Sequence, residues 1–546
     1  MYASANGKQS SKTAHFEWFE YVANLDYSRL NKREKSTSLI LVIGDSIEKN
    51  QHMKRFLLLL IAVFCVHFSC SDVYAQINDR LVILADMGNE PDEEQQMTHL
   101  LMYANEVDLE GLIAVTGKFL PRGPRPDLFF MLIAGYEKVV DNLRLHADGW
   151  PDPSYLRSTL AAGQDRYGMA DVGNGKSSPG SRLIVNAMEK PDPRPLYIVV
   201  NAGSNTLAQA LVDFEEKHGT DKTNEAVTNL RVFENGAQDN AGAWICNRYP
   251  DIHWFRSNYQ TYAYAGPSID GAANNRGDAR QLGPHTWQPY QYSGIGQHQW
   301  ALQYIKGNNG PLLALWPIRQ FTRGGISFLE GGGTIPWFAL VNKGLSDINK
   351  PWWGGWSGRT GTIKVENYWS KHGDVRRDEE QYAPFYTYPE EADKWTDPET
   401  GEDYDCIFTP VWRWRRAFFN NFAARAQWCN RPYEEANHNP VAVIDGDDVR
   451  QIINRSAQPG DILVFDASGS FDPDGDSIAY KWFVYPEAGT YQHPIHLDAT
   501  NQDTFTMGIP DDAGGSEIHL ILELTDDKPD PYRLFSYRRI IIKVRK

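Results

Sequence analysis

Between Leu81 and about Ser257 the chain alternates between two textures, and this alternation constrains the fold more than any other feature. Apolar, β-rich runs (LVILADMG, LEGLIAVTG, PLYIVVNAG, NLRVFENG, IHWFRS) are interleaved with stretches of helical spacing (EEQQMTHLLMYANE, DLFFMLIAGYEKVVDNL, NTLAQALVDFEEKHG, AGAWICNRY). Strands that alternate with helices predict a mostly parallel sheet covered by helices on both faces, an α/β fold. In such sheets a ligand sits beyond the carboxyl ends of the strands. Polar residues directly after each apolar run are therefore the first candidates for function.

From about Thr261 to Trp428 the texture is looser and rich in Gly, Trp, Tyr and Pro. It reads as long loops decorating the sheet, closed by one amphipathic helix, RWRRAFFNNFAARAQWC; loops of this length inside a domain are usually functional. A linker follows at EEANHNP. Beyond Pro440, short alternating strands are expected at VAVID, QIINR, DILVFDAS, SIAYKWFVY, DTFTMGI, EIHLILELTDD and RLFSYRRIIIKV. That spacing predicts a C-terminal all-β, immunoglobulin-like sandwich with Trp482 as its inter-sheet core residue. The expected organisation is an α/β domain over 76–436 and the sandwich over 437–546.

The amino terminus reads differently. Met53 opens MKRFLLLLIAVFCVHFSCSDVYAQ, with a basic start, an apolar centre and small residues Val73 and Ala75 before Gln76. Residues 53–75 are expected to be a secretory signal peptide, too short for a membrane span. Residues 1–52 are then a start-site artefact or disordered. The protein is expected to be secreted or periplasmic, with no stable membrane insertion. Its 54 Lys and Arg against 70 Asp and Glu leave a net charge of −16, which argues against nucleic acid as a partner. Cys246, Cys406 and Cys429 follow the signal; they cannot build a disulfide scaffold and lack zinc spacing.

Asp86, Glu90, Asp92 and Glu93 crowd the end of the first strand and the start of the first helix. Carboxylates this close repel one another unless a hard cation neutralises them, and calcium takes oxygen ligands of this kind. Capping of the helix explains Asp92, Glu93 and Glu94 but not Asp86. Calcium is therefore the expected cofactor. In the Gly-rich loop WWGGWSGR, Trp352, Trp353, Trp356 and Arg359 offer a sugar-binding wall, and a Trp-anchored structural loop explains them equally well. Arg413–Arg416 read as an ion-paired helix face. Asp472-Pro-Asp-Gly-Asp476 resembles the turn of polycystic-kidney-type and cadherin-like modules. Three Asp in five residues can bind calcium, but a tight turn needs the same residues, and the turn reading leads.

LADMGNEPDEE resembles the N-terminal signature of the nucleoside hydrolase fold, whose Asp-rich loop binds calcium. Together with NTLAQAL, QDNAGAW, FAARAQW, EANHNPVA and SFDPDGDSIAYKWFVYPEAGTY, it resembles the bacterial secreted family of nucleoside-hydrolase-like, cellulose-binding proteins, over nearly the whole chain from about residue 80. The resemblance implies Asp86 and Asp92 as the acidic metal loop, with Glu90 and Glu93 in an expanded version of it. It implies a further metal ligand in Asn201–Ala208, from Ser204, Asn205 or Thr206; Ser204 or Asn205 would also cap a helix. It implies Glu234, Asn235, Gln238 and Asp239 as a substrate-facing segment, Asp239 serving equally as a helix cap. Where the family pattern carries a late Asp, this chain has glycines in Leu329–Pro336; either Glu330 or Thr334 substitutes, or the metal site is incomplete.

These residues support three readings. The first is a secreted, metal-dependent hydrolase of glycosidic bonds acting on a glycan or related glycoside. Asp92 or Glu90 would activate water, and His285 or His298 would assist the leaving group. The second is a non-catalytic polysaccharide-binding protein, for cellulose. The third is a periplasmic nucleoside N-glycosidase.

Overall fold

The computed structural model describes residues 78–88, 91–265, 300–317, 332–341, 344–362, 364–398 and 401–546. The expected signal peptide, Glu90, His285, His298 and Glu330 lie outside the described residues.

Six strands form one sheet in the order β3-β2-β1-β4-β5-β6. They are β1 (Asp79–Ala85), β2 (Val107–Ala114), β3 (Leu160–Ala162), β4 (Leu196–Val200), β5 (Leu230–Asn235) and β6 (His253–Ser257). Every pairing is parallel. Helices cover both faces, so the strands are apolar on both sides; all of β1 beyond Asp79 is buried. The chain leaves β1 toward β3, then returns to β4 beside β1 and continues outward to β6. This reversal makes β1 and β4 the switch point, with Leu84 level with Val200. The helices Asp92–Leu101, Asn205–His218 and Ala241–Arg248 occupy the expected stretches. β3, three residues long, is too short to leave a periodic signal.

The region expected as loops holds short elements. β7 (Val365–Glu366) pairs with β8 (Tyr386–Thr387), and β9 (Asp393–Thr396) with β10 (Asp403–Cys406). The helix Arg415–Trp428 corrects an expectation: every residue except Arg416 is buried, so it is not amphipathic. Two bodies enclose it. Phe422 stacks on His99 at 3.5 Å between centroids, and Arg425 donates to Met102 O at 2.9 Å on the α/β side. On the other side Arg416 and Asn420 hold Asp530, at 2.7 and 2.5 Å. Arg413 pairs with Asp393 at 3.1 Å, so the Arg413–Arg416 run is ion-paired as read.

The C-terminal part is all β. β11 (Ile453–Ala457), β16 (Phe535–Val544), β15 (Glu517–Thr525) and β13 (Ala479–Val484) form one sheet in that order, and β12 (Ile462–Asp466) pairs with β14 (Thr504–Gly508). Trp482 stacks on Phe505 at 5.0 Å and Phe465 at 5.8 Å, joining the two sheets through one core. VAVID does not become a strand. Asp445 and Gly446 take positive φ (54° and 81°), and the chain turns back with Ile444 bridged to Asp447. Both parts belong to one unit, Gln76–Lys546. Cys246, Cys406 and Cys429 are buried and free. Among the described residues, no helix is long and apolar enough to cross a membrane.

Candidate functional site

The strand ends at the switch point carry a connected set of polar side chains. Asn201 follows β4, and its backbone N–H continues the ladder to Leu84 O at 2.9 Å. Its side-chain Nδ2 donates to Gln96 Oε1 at 2.9 Å and lies 3.3 Å from Gly333 O. Gln238 Nε2 donates to Asn201 O at 3.1 Å, and Gln238 Oε1 accepts from Lys118 N at 3.1 Å. Gly117 sits against both Gln238 and Asp86. A Cβ there would lie 2.5 Å from Gln238 Oε1 and 2.7 Å from Asp86 Oδ2. Asp86, Gln238, Asn201 and Gln96 thus form one buried polar cluster, a cradle of side chains packed tightly against the glycines at 117 and 333.

Several buried oxygens at this end of the sheet have no hydrogen-bond partner: Asp92 Oδ1, Thr116 Oγ1, Asn201 Oδ1, Asn205 Oδ1 and Thr334 Oγ1. Buried polar atoms are nearly always paired, with protein or with ordered water, so these oxygens at the carboxyl ends of the strands mark places where a further partner is accommodated. Burial pushes the Asp92 carboxyl above its ordinary value. The Glu93 carboxyl in contact with it, the backbone N–H groups of Asp92 and Glu93, and the Lys371 ammonium all oppose that rise. Lys371 lies with its Nζ 3.9 Å over the Tyr262 ring.

Among the described residues, Asp86, Asp92 and Glu93 do not bring three ligand atoms together, while Glu90 and Glu330 of the expected calcium set lie outside them. Among the described residues, the only trio of acidic, His or Cys side chains with ligand atoms all within 4.8 Å of one another is Asp472, Asp474 and Asp476. The reason is geometric: Asp86 directs Oδ2 toward Gly117, whereas Asp92 and Glu93 face each other at the helix start. Ser204 Oγ donates to Glu234 Oε1 at 2.8 Å. Thr206 Oγ1 accepts from Gln164 N at 3.0 Å.

The residues read as substrate-facing divide. Gln238 belongs to the cradle. Asn205 Nδ2 is held by Arg166 O at 2.6 Å, leaving Oδ1 open. Asn235 Oδ1 accepts from Thr261 Oγ1 at 2.8 Å. Asp239 is fully buried and caps two helices, accepting from Ser204 N and Ala241 N at 3.0 Å and from Asn205 N at 3.2 Å. Neither Ser204 nor Asn205 caps its own helix through its side chain.

The proposed sugar wall is corrected at Trp356 and Arg359. Trp356 is only 4% exposed and packs edge-on against Phe338 at 5.5 Å, which leaves no free face for stacking. Arg359 is buried and spent on Asp393 at 2.7 Å and Ala392 O at 2.6 Å. Trp353, half-buried, meets His519 of β15 edge-on at 5.2 Å. The Gly-rich loop therefore anchors the α/β part to the strands behind it.

Sequence reasoning passed over Gln96, Thr116 and Asn201. Thr116 and Asn201 follow apolar strands as the first polar residues, a signal available from the sequence. Gln96 had none, because one amide in a helix looks like any other. The buried network of Glu234, Arg256 and Glu379 was also unread: Arg256 Nε lies 2.7 Å from Glu234 Oε2, and its Nη1 lies 2.8 Å from Glu379 Oε1.

A doubly wound parallel sheet with acidic and amide groups at its switch point, followed by an all-β part, defines a nucleoside-hydrolase-like α/β protein with a C-terminal β domain. The chain belongs to the family of the cellulose-binding Sde182, nucleoside hydrolase-like domain, whose model matches residues 80–360. Residues 462–544 match the cellulose-binding protein Sde0182, C-terminal domain. The chain is similar to a nucleoside hydrolase-related hypothetical protein from Saccharophagus degradans that is associated with carbohydrate metabolism. The identity is 31%, the match covers 86% of this chain and 100% of that one, and the TM-score is 0.72. The effector protein XOO4466 matches at 13% identity over 65% of this chain and 94% of that one, with a TM-score of 0.27, too low to carry argument. No curated protein matches.

Proposed function

We propose that this is an exported carbohydrate-binding protein that holds sugar hydroxyls in the strand-end cradle. The observation that carries the reading is the set of buried, unpartnered acceptors, Asp92 Oδ1, Thr116 Oγ1, Asn201 Oδ1, Asn205 Oδ1 and Thr334 Oγ1. A sugar hydroxyl donates and accepts, so a polyol satisfies such a surface where an apolar ligand would leave it unpaired. The family's cellulose-binding description supports a β-glucan as the ligand.

A second reading, a glycosidic hydrolase, is favoured by Asp92. Its carboxyl is raised by burial and has one open oxygen. In its protonated form it suits the role of an acid that donates to a glycosidic oxygen as the bond to the anomeric carbon breaks; water then adds at that carbon and returns a proton to Asp92.

Titration calorimetry of the full chain with cello-oligosaccharides, alongside inosine and uridine, tests both readings. Binding of a glycan that Asn201→Ala abolishes supports the cradle, and binding unchanged in that variant overturns it. Release of reducing sugar that Asp92→Asn abolishes supports the hydrolase. Release of free base from inosine or uridine would identify an N-glycosidase instead.

A further inference from the structure

The turn Asp472–Asp476 lies in the all-β part, against the linker that leads out of the α/β part. Its three carboxylates offer ligand atoms all within 4.8 Å of one another. Turn geometry accounts for only some of their oxygens. Asp472 Oδ1 accepts from Asp474 N at 2.8 Å and from Asp476 N at 3.3 Å. Asp472 Oδ2 does nothing of the kind: the side chain is only 9% exposed, yet this oxygen is buried without a partner. Asp476 Oδ2 is likewise buried and unpartnered, while its Oδ1 accepts from Lys528 Nζ at 2.6 Å. A lysine at one rim offsets part of three acidic groups and reaches neither open oxygen.

We propose that this turn is a divalent-cation site of calcium chemistry, and that the ion fastens the linker to the all-β part. The donors turned inward are carboxylate oxygens, the set a hard cation selects over the nitrogen and sulfur sought by zinc or copper. A carboxylate oxygen buried without a partner is costly, and a cation removes that cost. The third member supplies the link to the linker. Asp474 Oδ2 accepts from His438 N at 2.8 Å, and His438 Nδ1 lies 2.8 Å from Asp474 Oδ1. His438 Nε2 in turn lies 3.0 Å from Nδ1 of His146, at the end of the helix Val140–His146 in the α/β part. Asn437, next to His438, donates to Asp526 Oδ2 at 2.7 Å. An ion that fixes Asp474 therefore fixes the residues that join the two parts.

The full chain, stripped with chelator and titrated with calcium chloride, is expected to bind one ion at this turn and to unfold at a higher temperature when loaded. Asp472→Asn keeps the Oδ1 acceptor of the turn and removes the charge; Asp476→Asn keeps the fold of the turn in the same way. Each is expected to weaken calcium at least tenfold and to lose the thermal shift, while Asp86→Asn keeps both. The proposal is overturned if the stripped chain takes up no calcium. It is equally overturned if the folded Asn variant, whichever of the two is obtained, binds as tightly as the parent, or if Asp86→Asn alone abolishes binding.

Discussion

Ser204 gives its backbone N–H to Asp239 Oδ1 at 3.0 Å, across from the next strand end, so one carboxylate caps the helix after β4 while also capping its own. With Asn205 N on Oδ2, three helix-start N–H groups depend on this side chain. Such groups have no partner within their helices, and burial removes water as a substitute. Asp239→Ala is expected to cost about 2–4 kcal/mol, the loss of two caps. Urea unfolding measures it as a lower midpoint at unchanged slope. A variant within about 0.5 kcal/mol of the parent would show that the caps are dispensable.

Glu379 provides a pH test. Burial is the main force raising its carboxyl from an ordinary 4.5 to about 7; the Arg256 guanidinium opposes the rise and the Glu234 charge adds to it. The folded state therefore keeps a proton that the unfolded state loses above pH 4.5. This contribution to stability is complete below pH 4.5 and is lost as pH rises toward 7. Glu379→Gln, which cannot ionise, is expected to flatten that part of the stability profile. Equilibrium unfolding at half-unit steps of pH checks it; an equally steep decline in the variant would assign the slope elsewhere.

The sheet was legible in the sequence because its strands are buried on both faces and read as continuous apolar runs; LVILA and LYIVV admit little else. The switch point is legible from the strand ends, where Asp86 stands directly after an apolar run; Gln238 is marked only by the family resemblance. What escaped depends on pairings between distant segments. Asp239 looked like a local cap or a substrate contact, and only the packing of β4 beside β5 brings it to Ser204. Trp356 and Arg359 looked like a sugar wall because aromatic, glycine-rich loops serve both binding and anchoring. Whether such a loop faces solvent depends on Phe338 and Asp393, which lie elsewhere in the chain. The helix Arg415–Trp428 was misread because its Arg and Asn side chains are paired internally, with Glu106 and Asp530, and do not mark a solvated face.

His99 is buried against Phe422, and neither ring nitrogen has a hydrogen-bond partner. Burial holds it well below its ordinary 6.5, with Arg425 adding to the effect. The unfolded chain takes up a proton there that the folded chain refuses, so stability falls as pH drops below about 6.5. His99→Leu leaves no unpaired nitrogen and no group to protonate. It is expected to stay within about 1 kcal/mol of the parent near pH 7.5, where lost stacking and the removed polar burial oppose each other. Below pH 6 it is expected to be more stable than the parent. Thermal unfolding at pH 7.5 and pH 5 separates the two effects, and a variant that loses stability equally at both would place the acid sensitivity outside His99.

Gly333 separates ligand binding from folding. A Cβ at this position would stand 1.9 Å from Gln96 Oε1 and 2.4 Å from Asn201 Nδ2, closer than side chains approach one another. Both atoms are the ends of side chains, so Gly333→Ala is expected to displace the two amides and to leave the strands beneath them in register. The amides' mutual hydrogen bond breaks, and Asn201 Oδ1, one of the open acceptors, moves with its side chain. The cost to folding is then about 1–3 kcal/mol, that of buried amides which lose a partner. If the cradle is where sugar hydroxyls are held, the same substitution reduces glycan affinity at least tenfold. Asn201→Ala removes the amide outright and is expected to match it. Calorimetric binding set beside urea unfolding for both variants distinguishes the outcomes. Weak binding in a folded variant supports the cradle, whereas parent-like binding in Gly333→Ala means that the sugar contacts lie on another surface.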